Sequence, residues 1–148
     1  MAITKQTPRT VHLGGDITVV NDLLGSGAIT PGYLVERFNS SGTPKFRAHS
    51  TASGMGSKTV ALENEMLNKG IDDAWADGDL ILAGVMHPGA TAQLILASGE
   101  TVVAGDFLES KGDGTMRKYT SGVRLFQVLE GTNNTAGSTT ARVKSEAL

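Results

Sequence analysis

The sequence predicts a mainly β protein: a small antiparallel β-barrel or sandwich-like domain with an extended N-terminal arm and at most short helical turns. Three observations point there. Apolar runs recur at roughly eight-to-twelve-residue spacing, each bounded by Gly, Pro, Asn or Asp, as in strands joined by tight turns. Nineteen glycines stand against four phenylalanines, two tyrosines and one tryptophan, which suits turns better than long helices. Only 64–79 carries apolar residues at helical spacing, with Leu67, Ile71 and Ala74 or Trp75 on one face, and Gly70 interrupts it.

The elements follow in order. Residues 1–10 (MAITKQTPRT) are polar and aperiodic and read as the arm; residues 11–148 read as a single β-rich domain. The run 11–23 alternates imperfectly, so it forms one strand or a broken pair. Pro31-Gly32 marks a turn before the strand 33–38, and 39–44 turns the chain into 45–49 as a hairpin. A small-residue loop, 50–57, precedes a strand at 58–63. Further strands are expected at 80–86, 91–97, 101–110, 115–119, 122–131 and 139–148. Within 101–110, Gly105-Asp106 is read as a bend or bulge, and Gly112-Asp113-Gly114 as the next turn, with the nearby acids capping and solvating it.

Composition removes whole classes of chemistry. With no cysteine there is no disulfide, zinc-thiolate site or cysteine nucleophile. A net charge of −2 gives no electrostatic footprint for nucleic acid. The N-terminal stretch lacks the apolar core of a signal peptide, and the run 80–86 is too short to span a bilayer, so neither secretion nor a membrane partner is expected.

Candidate motifs dissolve on inspection. SGMGSKT (53–59) resembles a phosphate-binding loop, but Ser57 separates Gly56 from Lys58, and a strand follows where a helix should open. Asp106, Glu109 and Asp113 lack the alternation of a calcium loop; the denser set Asp72, Asp73, Asp77 and Asp79 lacks it too and reads as turn formers. His12, His49 and His87 stand far apart without metal-ligand spacing, and no G-x-S-x-G elbow occurs. No catalytic residue, cofactor or metal ligand is therefore assigned.

One resemblance adds to this reading. The blocks VALENEMLNKGIDDAWADGD (60–79), LILAGVMHPGATAQLILASGETVVAGDFLESKGDGTMRK (80–118) and LEGTNNTAGSTTARVKSEAL (129–148) resemble the head decoration, or capsid cement, proteins of tailed bacteriophages. Members of that family share a GIDD segment followed by Gly-Asp, a GDFLES-x-GDGT stretch and a final Ala-Arg-Val strand. The resemblance implies a virion structural protein, not an enzyme. Such a protein is made in the bacterial cytoplasm and sits on the outer surface of an icosahedral head. It cements neighbouring major capsid subunits and stabilises the expanded shell. Its implied partners are the major capsid protein and itself, as a trimer or dimer. The arm residues Ile3, Thr4, Lys5, Gln6, Thr7, Pro8, Arg9 and Thr10 are the expected capsid or oligomer contact, since an extended arm can add a strand to a neighbour's sheet edge. Rival readings are another virion structural β protein (tail-tube or head-completion), a small β-barrel enzyme, or a carbohydrate-binding module.

Overall fold

The computed structural model describes residues 8–148. Ile3, Thr4, Lys5, Gln6 and Thr7 of the expected contact therefore lie outside the described residues. Pro8, Arg9 and Thr10 have no regular structure; Arg9 is exposed, while Thr10 Oγ1 donates to the His12 carbonyl at 3.1 Å.

Thirteen strands follow among the described residues: β1 (His12–Gly14), β2 (Ile17–Val20), β3 (Leu34–Ser40), β4 (Thr43–Ala48), β5 (Thr59–Ala61), β6 (Ala83–Met86), β7 (Thr91–Ile95), β8 (Thr101–Val102), β9 (Phe107–Ser110), β10 (Met116–Lys118), β11 (Phe126–Glu130), β12 (Thr132–Asn133) and β13 (Arg142–Ala147). They form a six-stranded sheet in the order β1-β7-β13-β11-β9-β10, a five-stranded sheet in the order β2-β6-β5-β3-β4, and the ribbon β12-β8. Every ladder is antiparallel. The six-stranded sheet curls until Leu96, just past β7, makes a single parallel bridge to Met116 on β10. No ladder closes it, so the architecture is sandwich-like rather than a barrel.

Side-chain alternation builds two cores. Leu94, Leu108, Phe126, Val128 and Val143 from the larger sheet meet Leu34, Val60 and Met86 from the smaller one in the main core. The intervening residues of the smaller sheet, Val35, Ala61 and Ala83, face the other way and pack with Phe46, Ile29, Trp75 and Ile81. The smaller sheet is thus apolar on both faces, with the irregular segments around Ile29 and Trp75 as its outer cover. Trp75 is fixed there by a bridge to Ile29 and by its indole N–H, which donates to the Leu62 carbonyl at 2.8 Å.

Several expectations are corrected. The run 101–110 is two strands in different sheets: Asp106 N–H bonds the Val103 carbonyl at 3.1 Å across a turn with Gly105 at φ +95, and β8 departs to the ribbon. A residue with a Cβ resists that conformation. Residues 122–131 split likewise, with 122–125 irregular ahead of β11. In 64–79 the expected short helical turn is present as the 3-10 turn Glu65–Leu67, but the shared face is not: Leu67 is 69% exposed while Ile71 and Trp75 are buried in different cores.

Candidate functional site

The densest polar constellation lies where the 50–57 loop crosses β9 and β10. Leu108 points into the main core, and Glu109, on the opposite face, is also fully buried. Its Oε1 accepts the Thr120 amide at 2.7 Å and the Thr120 hydroxyl at 2.8 Å; its Oε2 lies 3.8 Å from Arg117 Nη2. Burial pushes the Glu109 carboxyl up, but hydrogen bonds from Ser53 and Thr120 and the Arg117 charge outweigh it and hold the pKa at about 2. Arg117 also donates to Ser53 Oγ at 2.7 Å, while Ser53 N–H bonds the Ser110 carbonyl and Val123 N–H bonds the Ser53 carbonyl. One carboxylate therefore fastens a loop, two strands and the 120–123 crossing. The acids of this stretch do not all solvate the turn: Asp113 caps it, accepting from Thr115 N–H at 3.0 Å, whereas Glu109 is an internal anchor.

Beside it, Ser110, His49 and Glu36 lie in the order of a nucleophile, a base and an acid. Ser110 Oγ is 2.7 Å from His49 Nδ1, and His49 Nε2 is 3.8 Å from Glu36 Oε2. The resemblance to a triad stops at connectivity. Nε2 meets the Met55 carbonyl at 3.0 Å, and Gly112 N–H donates to Ser110 Oγ at 3.1 Å. Glu36 accepts from Arg47 Nε at 2.7 Å and Ser50 Oγ at 2.6 Å. Ser110 is fully buried, so its hydroxyl has no approach for an acyl group, and the group holds the loop down. Among the three histidines only His49 is a core residue; His12 and His87 reach the surface.

The phosphate-loop look-alike is part of the same lid. Gly54 N–H bonds the Thr51 carbonyl, and Lys58 Nζ donates to the Leu148 carbonyl, so neither waits for a phosphate.

The carboxylates of 72–79 diverge rather than converge. Asp73 accepts from Gly70 N–H at 2.6 Å, Asp77 from Gly27 N–H at 2.8 Å, and Asp79 from Ala76 N–H at 2.8 Å. The Asp73 and Asp79 bonds close local turns, whereas the Asp77 bond ties this segment to the 25–27 segment. Asp72 instead takes a 3.0 Å bond from Nη2 of Arg142, a buried side chain on β13. Arg142 Nη2 also donates to the Ile71 carbonyl at 2.6 Å, and Nη1 to the Pro31 carbonyl. Burial lowers the Arg142 pKa from its ordinary value, and the Asp72 bond offsets only part of that. No cluster of three or more potential metal ligands exists among the described residues. Sequence reading missed Arg142 and Glu109 because nothing in one dimension marks a charge as buried.

The groove at the β3–β4 hairpin is shallow. It encloses about 310 Å³ and is lined by Arg37, Phe38, Asn39, Gly42 and Pro44, and the Arg47 guanidinium lies 4.5 Å over the Phe38 ring. It brings no convergent set of polar groups to one point.

No family model matches the chain, and no curated protein matches it. Among solved structures it is similar to the N base of head fiber gp8.5 of bacteriophage phi29, with a TM-score of 0.60 and 13% identity. The likeness covers 90% of this chain and 95% of that one. At that identity the comparison shows the fold: a mainly antiparallel β-sandwich-like module shared along nearly the whole of both chains.

Proposed function

We propose that this chain is a structural component of a phage virion that decorates the outside of the head and cements neighbouring major capsid subunits. The single observation behind the head assignment is the fold shared with the phi29 head fiber base over 90% of this chain. The cement role rests on the sequence blocks of 60–79, 80–118 and 129–148 that resemble capsid cement proteins. The physics agrees. Among the described residues the polar clusters serve as fasteners and the groove at the β3–β4 hairpin is shallow, as suits a rigid module that acts by docking. A modest interface repeated over one shell gains strength through effective concentration.

In this reading residues 11–148 are the docking module, and the arm, Ile3 through Thr10, contacts the shell or a neighbouring copy. The major capsid protein and further copies of this chain are the partners, on the outer surface of the head. The test incubates purified protein with undecorated expanded heads, then measures copy number and thermal stabilisation. Saturable binding at hundreds of sites with a raised disruption temperature supports cementing; no binding overturns it. A chain lacking residues 1–10 that binds with unchanged occupancy removes the arm's role alone.

The identity of the structural neighbour favours a second reading, a base from which a fibre projects. Cryo-electron microscopy of decorated heads separates the two: a projecting density above each site supports the fibre base, and a flush one the cement.

A further inference from the structure

The two large sheets present four edge strands, β1 and β10 in one and β2 and β4 in the other. Three are blocked. The His12 ring folds back so that Nε2 lies 3.0 Å from the Gly14 carbonyl and 2.9 Å from that of Gly15, occupying acceptors beside β1. On β4, Phe46 N–H bonds the Leu24 carbonyl and its own carbonyl takes Ser26 N–H. On β10, Met116 gives its carbonyl to Ala97 N–H, and Lys118 N–H meets Glu100 Oε2 at 3.4 Å.

The fourth edge, β2, is open. Asp16 bonds His87 N–H, and β2 pairs Thr18 with Val85 and Val20 with Ala83. Met86 N–H points the other way, to the Lys58 carbonyl, so the facing residue Ile17 does not share bonds with β6. By alternation the N–H and C=O groups of Ile17 and Val19 point outward, and no partner meets them among the described residues. The strand reads Ile-Thr-Val-Val, with no charge or proline to discourage pairing, and Val19 is 55% exposed because it stands opposite the side-chain-free Gly84.

We propose that this edge is a strand-addition site whose occupant is the same strand of a second copy, paired antiparallel about a two-fold axis at Thr18. That register is self-complementary. Ile17 faces Val19 of the second copy and Val19 its Ile17, exchanging roughly four main-chain hydrogen bonds. The side chains brought together are apolar on one face and threonine on the other. Asp16, the nearest acid, falls opposite Val20 rather than opposite its own copy, so no like charges meet at the axis. Four residues a side make a small interface in the weak, transient class, one that a crowded lattice would reinforce.

Sedimentation of the full chain between about 5 and 500 µM tests this, a range that brackets weak association. The average mass rises from 15.4 kDa toward twice that value in the wild type and stays at 15.4 kDa in Val19→Lys. The lysine leaves the β2–β6 ladder intact, which circular dichroism checks. A second measurement does not depend on that variant. The chain has no cysteine, and Thr18→Cys places one thiol on the axis in a pair whose Cα atoms sit about 4.5 Å apart, within disulfide reach. Thr18→Cys should oxidise to covalent dimer at least about tenfold faster than Thr135→Cys on an exposed loop, as a preformed pair raises effective concentration. A wild type that stays at 15.4 kDa throughout, association that survives Val19→Lys, or equal oxidation rates would each overturn the proposal.

Discussion

Thr120, at the surface, gives both its amide and its hydroxyl hydrogen to one oxygen of the buried Glu109, at 2.7 and 2.8 Å. Glu109→Gln keeps the shape but loses the charge that makes those bonds strong. The substitution should cost about 2 kcal/mol at pH 7, read from urea unfolding.

The same pair sets an acid dependence. Glu109 is held at about 2 when folded against a usual 4.5, so its stabilisation is complete above 4.5 and fades as pH falls toward 2. The wild type should lose stability across that window more steeply than Glu109→Gln. Parallel slopes for the two proteins would contradict the assignment.

Arg142→Met should be among the most damaging changes. It strips the Pro31 and Ile71 carbonyls of their donor, a loss of about 3–5 kcal/mol by chemical denaturation. Arg142→Lys should not rescue it, because one ammonium cannot span the fork of acceptors. Asp72→Asn, at an exposed carboxylate, should cost under about 1 kcal/mol.

Gly114→Ala tests a backbone constraint. Gly114 holds φ +89, and a Cβ there would lie 2.8 Å from Tyr33 Cδ2. Strain and overlap together should cost about 2–4 kcal/mol, visible as a lowered Tm. Gly42→Ala, with a similar φ but open space around it, should cost distinctly less.

Trp75→Phe should cost about 1 kcal/mol, since the ring volume is largely kept while the Leu62 carbonyl loses its indole donor. Calorimetry is the suitable probe, as the substitution removes the only tryptophan.

These sites differ in how legible they are in the sequence. Turn chemistry was readable: Pro31-Gly32 and the Gly112–Gly114 stretch fall between strands, and the turn expected at 39–44 is there, though narrowed to 41–42 by strands that run to Ser40 and resume at Thr43. Strand existence was readable too, because period-two runs and turn residues are local signals. The break at Gly105 was not, since a bulge and a sheet change use the same Gly-Asp step and differ only in where β8 finds its partner. The buried faces of the smaller sheet hid its alternation, because Leu34 and Val35 are both core residues serving different clusters. Glu109 and Arg142 look like any surface charge until the fold brings in their partners, Thr120 eleven residues on and Pro31 from the far end of the chain. The acidic run 72–79 was read as turn formers, and that holds for Asp73 and Asp79, which close on amides three residues back; Asp77 reaches Gly27 and Asp72 reaches Arg142, long-range partners that no local pattern announces.

The placement of β1 has a mechanical consequence. Tension entering at Pro8 reaches Val11 within three residues, where the Glu63 carboxylate holds the amide at 3.0 Å and Gln93 N–H holds the carbonyl at 2.8 Å. Beyond Val11 the pull peels β1 from β7 at His12 and Gly14, one rung at a time, rather than shearing a long ladder at once. Val11 is also fully buried in the main core, so its packing and these two bonds must give way before the β1 rungs open. A tug on this end is therefore felt by the core first and by the rim second.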